Sequence, residues 1–198
     1  QVNTIGIDYN TSAHWNIFVG GAFSKAGNNT ANNIAYWDSL NSVWLSVNGS
    51  GGQGTSGTVN TIYTTSSHPT WVFVGGDFSS VDSGIVSSVG NVAVFVPSSL
   101  NVGTWYPIYN NGATFPQSAG GNQTGTNGPV YTLYYDTSNS YLFAGGLFSL
   151  GYDGIGGSAP INNIGYYYTP TTSGAWTILG SGAVSGGGVN NRVRTITK

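Results

Sequence analysis

Cysteine and methionine are both absent from the 198 residues, and glutamate is absent too. No disulfide staples this fold, and cysteine pairing gives no information on compartment. Charge is scarce. Lys, Arg, Asp and Glu make up 5% of the chain, and the formal net charge is −2. A typical globular domain carries about 25% charged residues. Without a basic footprint, nucleic acid is excluded as an expected partner. No apolar run approaches the ~18 residues of a membrane helix, so no membrane segment is expected in this chain. The chain opens on Gln1 without a visible signal peptide, which reads as a processed mature chain or a piece of a longer one. A surface this poor in charge is weakly protected against self-association, which suits extracellular polymers, coats and glycosylated surface domains.

What is abundant is glycine, 32 residues, together with 14% aromatics. The aromatics and the many Val and Ile residues supply apolar surface to bury, so the low charge does not imply disorder. The glycines fall in a pattern. Phe18-Val19-Gly20-Gly21-Ala22-Phe23-Ser24 recurs as Phe73-Val74-Gly75-Gly76-Asp77-Phe78-Ser79 and as Phe143-Ala144-Gly145-Gly146-Leu147-Phe148-Ser149. Self-similarity of this kind marks a repeat protein.

Four strand-like segments make up each repeat. The first is Val2-Asn3-Thr4-Ile5, then Val59-Asn60-Thr61-Ile62, then Val130-Tyr131-Thr132-Leu133, with the period of two that one buried face requires. The second is the glycine segment, apolar enough for both faces to be covered. Its paired glycines imply a bulge or a close backbone approach. A variable loop follows. The third strand opens on Asn33, Asn91 or Asn163, read as turn residues. The fourth carries Trp44, Trp105 or Trp176, and Pro107 predicts that it lies at a sheet edge. Glycine-rich connectors lead to the next unit, and no helix is needed. The repeats span approximately 2–58, 59–129 and 130–192. The segment 193–198 opens with Val193-Arg194-Thr195-Ile196-Thr197, a fourth copy of the first strand.

Four antiparallel strands, repeated, are the grammar of a β-propeller blade. The residues Val19 to Ser24, Asn33 to Ala35 and Trp44 resemble kelch-type blades. They are most similar to the extracellular repeats of the fungal cortical-marker (bud-site-selection) membrane proteins. The resemblance implies an all-β fold of kelch-like propeller blades, three four-stranded repeats plus one extra terminal strand. Members of that family carry a membrane anchor and more repeats than the three seen here. Propellers close with about 4–8 blades. Closure is therefore expected from a longer chain, from several chains in one ring, or from Val193 to Thr197 adding to a neighbouring subunit as an assembly strand.

Candidate chemistry is sparse. The acids Asp8, Asp38, Asp77, Asp82, Asp136 and Asp153 fall singly at turns or strand ends, and no carboxylate pair is nominated for hydrolysis. His14 and His68 occupy equivalent turns and lack companions at metal spacing. The loops at Asp82 and Asp153 offer oxygen ligands but not the carboxylate density of a calcium loop. No catalytic residue, metal site or cofactor is expected. Glycosylation sequons start at Asn10, Asn28, Asn48 and Asn122, all in loops, in a number that this composition delivers by chance. The aromatics at Trp37 and Tyr166 to Tyr168 are expected to pack between repeats, with stacking on sugars as the other option. The reading that follows is a non-enzymatic extracellular structural protein, a subunit of a surface coat, wall or filament. The alternative is an ectodomain binding module, adhesin or receptor, that recognises carbohydrate or protein through its loops. A secreted hydrolase ranks third.

Overall fold

The computed structural model describes residues 1–8, 16–66, 70–109, 122–169, 174–180 and 187–197. The fold is all-β, built from small antiparallel sheets. Twelve strands form three four-stranded sheets. Sheet I holds β1 (Val2–Ile7), β2 (Ile17–Gly21), β3 (Ile34–Asp38) and β4 (Val43–Ser46), hydrogen-bonded in that order. Sheet II holds β5 (Thr58–Thr64), β6 (Val72–Asp77), β7 (Val92–Ser99) and β8 (Val102–Pro107). Sheet III holds β9 (Val130–Asp136), β10 (Tyr141–Gly146), β11 (Ile164–Tyr168) and β12 (Trp176–Ile178). Each is a simple meander in which sequential strands are neighbours, as short connections favour. Pro107 sits on β8, an edge strand, where its missing N–H costs no ladder bond.

The loop after the second strand of each sheet is not plain coil. It forms a hairpin of Lys25–Ala26 with Asn29–Thr30 in the first unit, and Ser80–Val81 with Val86–Ser87 in the second. In the third, Leu150–Asp153 pairs with both Ser158–Pro160 and the connector strand Thr124–Thr126. The only helical turn among the described residues is a single 3-10 turn at Asp82–Gly84.

The sheets stack face to face. β1 lies against β5, and β5 against β9. One core lies between sheets I and II and includes Phe18, Ile34, Tyr36, Val59, Val74 and Phe95. A second lies between sheets II and III, with Phe73, Val94, Val130, Leu142, Tyr167 and Trp176. The middle sheet is therefore covered on both faces, which accounts for the unbroken apolar run in β6. The described strands close into neither a barrel nor a ring.

The segment 193–197 follows sheet III and is seated on it as Val59 and Ile62 are on sheet I. Its alternation is that of a strand, yet it forms no ladder. It lies instead against its own chain. The Val193 amide donates to the Gly146 carbonyl at 2.9 Å, and the Ile196 amide to Thr132 Oγ1 at 3.0 Å.

Candidate functional site

The feature that recurs with the repeat is a seam between one sheet and the unit that follows it. Its first part is the double glycine, whose two members do different things. A Cβ on Gly75 would stand 2.7 Å from Val130 Cγ1 and 2.8 Å from Thr61 Cγ2. On Gly145 it would meet Val193 Cγ1 at 2.6 Å and Thr132 Cγ2 at 2.8 Å, and on Gly20 it would overlap the Val59 side chain. The first glycine is thus the hollow that seats the valine of the following unit. The second glycine faces backbone. On Gly21, Gly76 and Gly146 a Cβ would run into the carbonyl oxygens of Gln1, Thr58 and Pro129. Those residues lie at the start of the inner strands β1, β5 and β9, each immediately before the motif valine Val2, Val59 or Val130. The ladder slips at the same place in every sheet, between Val2 and Thr4, Val59 and Thr61, Val130 and Thr132. The bulge and the close approach expected of paired glycines are both present, one residue apart.

The second part is an asparagine clamp. Asn33, Asn91 and Asn163 have φ of 70°, 67° and 67°, the left-handed region that asparagine tolerates better than other side-chain-bearing residues. Each accepts on Oδ1 the amide of the motif phenylalanine, Phe23, Phe78 or Phe148, at 3.3, 3.1 and 3.0 Å. Each donates from Nδ2 to the connector leading to the next unit, at the carbonyls of Thr55 (3.1 Å), Thr126 (2.9 Å) and Val189 (2.8 Å). The same connector residues give their amides to the carbonyls of Asn32, Gly90 and Asn162. A turn assignment for these asparagines was legible in sequence. Their role in strapping one unit to the next was not.

The third part is the inner strand itself. Thr4 Oγ1 accepts the Ile62 amide at 3.1 Å, and Asn3 Nδ2 donates to the Val59 carbonyl at 3.0 Å. Asn60 repeats that donation to Val130 at 3.1 Å. In the third unit Tyr131 replaces the asparagine, and the Arg192 guanidinium lies 6.0 Å from its ring centroid, within cation–π range.

The seam joins sheet I to sheet II and sheet II to sheet III, recurs between sheet III and the segment 189–196, and is uncovered on the outer face of sheet I. Val59 and Ile62 are 0% and 8% exposed, whereas their counterparts Val2 and Ile5 are 56% and 60% exposed. Ile7 is exposed as well. The aromatic pair on the same face follows suit. Phe95–Trp105 and Tyr167–Trp176, with centroids 5.1 and 5.6 Å apart, are buried. The equivalent pair Trp37–Trp44, at 5.1 Å, is half-buried. At the far end, the outward face of sheet III carries Tyr134, Tyr141, Phe143 and Tyr166, all half-buried. A groove of about 520 Å³ there is lined by Tyr134, Phe143, Ile164, Leu179 and Ile196.

The remaining candidates hold no comparable arrangement. The Asp82 carboxylate is buried and accepts the Gly52 amide at 2.7 Å and the Gly51 amide at 3.3 Å. Asp153 accepts the amides of Ile155 and Gly157. Both are spent on loop backbone. Asp38 and Asp136 cap their own turns through the amides of Leu40 and Ser138. Among the described residues no three His, Cys, Asp or Glu side chains converge on a metal-sized site. Asn28 and Asn122 are exposed, and Asn48 is half-buried with its Oδ1 enclosed and unpartnered. Asn10, His14 and His68 lie outside the described residues. Of the aromatics expected between repeats, Tyr167 is in the second core, whereas Trp37 and Tyr166 are half-buried on the outer faces of sheets I and III and Tyr168 is exposed. One contact had no sequence signal. The Tyr36 hydroxyl donates to Asp8 Oδ2 at 2.8 Å inside sheet I. Burial, and then the Asp8 carboxylate, raise the Tyr36 pKa well above the ordinary tyrosine range, so the phenol remains a donor across neutral pH.

Comparison with known proteins finds no matching family model and no matching curated sequence. Among the described residues no helix is long and apolar enough to cross a membrane.

Proposed function

We propose that this chain is a non-enzymatic structural module of kelch-like propeller blades that associates end to end, in an extracellular coat, wall or filament. The observation that carries the proposal is the repeated seam, whose inserting half is uncovered on sheet I. Sheet I presents the inserting half, Val2, Ile5 and Ile7, uncovered. Sheet III presents the receiving half, with Thr132 and Gly145 in the places that Thr4 and Gly20, or Thr61 and Gly75, hold inside the chain. The two faces differ, so contact between copies is head to tail, and a head-to-tail contact gives a ring or a filament according to its rotation. The small net charge offers little repulsion to oppose it. Asn28 and Asn122, both exposed, are the sequon asparagines open to glycans among the described residues.

The second reading is a binding module. It is favoured by two grooves, of about 910 and 320 Å³, at equivalent places beside Phe148 and Phe78. Their Asn and Ser linings, with Asp77 in the smaller, suit a hydroxyl-rich polar ligand such as a carbohydrate. Association of purified chain without added ligand separates the two readings. In sedimentation velocity, the native chain is expected to form concentration-dependent oligomers. Ile5→Asp, which places a charge on an already exposed position, is expected to leave a folded monomer. A native chain that stays monomeric at high concentration would remove the structural reading.

A further inference from the structure

Resting on the binding-module reading, and independent of end-to-end association, we infer that the grooves beside Phe78 and Phe148 form one trough that takes a neutral, hydroxyl-rich oligosaccharide. The repeat builds both grooves from the same positions. The motif residues Asp77-Phe78-Ser79 line one and Leu147-Phe148-Ser149 the other, each with its clamp asparagine, Asn91 or Asn163. The preceding connector contributes Ser56 to the first and Asn127 to the second, and these two side chains make the same contacts. Ser56 Oγ accepts the amides of Ser79 and Ser80 at 3.2 and 3.1 Å. Asn127 Oδ1 accepts those of Ser149 and Leu150, both at 2.9 Å. Asn127 also lines the groove beside Phe78, so the two grooves adjoin there. No strand of sheet III lines the groove beside Phe78. Its shape is a property of one repeat and its connectors, not of an uncovered end.

The lining selects a ligand by what it leaves unspent. Asn91 and Asn127 are fixed by their hydrogen bonds, each from Nδ2 to one acceptor, and each amide keeps a second N–H. Asp77, Ser79 and Gln123 are exposed, and their side chains make no hydrogen bond among the described residues. No lysine or arginine lines either groove, so an anionic ligand meets no counter-charge. Phe78 and Phe148 are buried and offer no face for stacking. A peptide cannot add as a strand, because β-augmentation needs a free sheet edge. The connector strand Thr124–Thr126 pairs with Gly151 to Asp153 on one side, and its Thr124 and Thr126 amides donate to the Ser88 and Gly90 carbonyls on the other. What fits is an uncharged ligand dense in hydroxyls, each a donor and an acceptor at once. Asp77 and Leu147 hold the same repeat position, so the subsites differ in one contact. The Asp77 carboxylate accepts a charge-assisted bond from a hydroxyl. Leu147, 46% exposed, gives an apolar lip for the C–H face of a sugar ring. Stacked sheets lie ~10 Å apart, so only an oligomer reaches from one subsite to the next. Two sources carry this chemistry: a free polysaccharide, and a glycan on Asn122, whose sequence neighbour Gln123 lines the trough.

The test is calorimetric titration of the full chain, made with and without N-glycans, with cellohexaose, laminarihexaose and chitohexaose. The unglycosylated chain is expected to bind at least one of them. Asp77→Ala is expected to weaken that binding about tenfold, the loss of one hydrogen bond to a charged group. The matching monosaccharide is expected to bind at least about tenfold more weakly than the hexasaccharide, since it reaches one subsite. Asp77, Gln123 and Leu147 are exposed, so alanine at these positions leaves the fold in place, and circular dichroism checks it. Binding by the glycosylated chain as well assigns the trough to a free polysaccharide. Binding by the unglycosylated chain alone, restored to the glycosylated chain by Asn122→Gln, assigns it to the glycan on Asn122. If a hexasaccharide binds and its affinity is unchanged in the triple variant Asp77→Ala, Gln123→Ala, Leu147→Ala, the trough is overturned and the binding-module reading stands. If the unglycosylated chain binds none of the three, the trough and the carbohydrate form of that reading fall together.

Discussion

Gly76→Ala is expected to destabilise the protein by about 3 kcal/mol, at the upper end of the cost of overpacking, and to lower Tm by about 6–12 °C for a chain of this length. The reason lies in what the added methyl meets. Gly76 has no positive φ, so conformational freedom is not the issue. Its Cβ would collide with the Thr58 carbonyl oxygen and stand 2.9 and 3.0 Å from Phe78 ring carbons. A carbonyl within a bulged ladder cannot retreat without losing the register that places Val59. Gly75→Ala, one residue away, meets only side chains, the nearest being Val130 at 2.7 Å. Val130→Ala is therefore expected to recover part of the Gly75→Ala loss and none of the Gly76→Ala loss, a coupling that a double-mutant cycle in urea resolves. Gly84→Ala sets the scale for backbone strain alone, since its φ is 92° with nothing within 4 Å of a Cβ. If Gly76→Ala costs no more than Gly84→Ala, about 1 kcal/mol, the close approach does not matter.

Asn91→Ala is expected to cost a similar amount, about 3–4 kcal/mol. Two half-buried hydrogen bonds disappear, to the Phe78 amide and the Thr126 carbonyl. Each is worth about 1 kcal/mol, and each leaves behind a group that must find water. The alanine must also hold φ near 67°, at a further ~1–2 kcal/mol. Two companions apportion the loss. Asn91→Gly removes the backbone strain and keeps the lost bonds, and should fall between wild type and alanine. Asn91→Asp keeps the acceptor for Phe78 but turns a carboxylate oxygen toward the Thr126 carbonyl, and should be nearly as damaging as alanine. Equal unfolding midpoints for all three would mean that the clamp contributes only through its neighbours.

How far the sequence led can be judged from these residues. The double glycine was readable because three copies share it, and a bulge beside a tight approach is what adjacent glycines in a strand supply. The clamp was half-readable. An asparagine at a strand entry signals a left-handed turn, but the carbonyls that its amide reaches lie 22, 35 and 26 residues further on, across connectors of different length. The Tyr36–Asp8 bond occurs once, so no repetition marked it. Exposure of Val2 and Ile5 was beyond a sequence argument. Alternation tells that a strand has an apolar face, not whether anything covers it. The same holds for 193–197, whose alternation is that of the first strand of a unit and carries no information on what it pairs with.

The central claim, that one copy's sheet I docks on another's sheet III, is tested most directly by cysteine cross-linking. The chain has no cysteine of its own. Within the chain, Ile62 lies over Gly6, the β1 position equivalent to Tyr134 of β9. Ile5 of one copy should therefore meet Tyr134 of the next. Under oxidation, the double variant Ile5→Cys with Tyr134→Cys is predicted to give a ladder of covalent multimers. A mixture of the two single variants is predicted to give dimers that always contain one of each. Dimers formed by Ile5→Cys alone, or no cross-link in any combination, would contradict head-to-tail assembly through these faces.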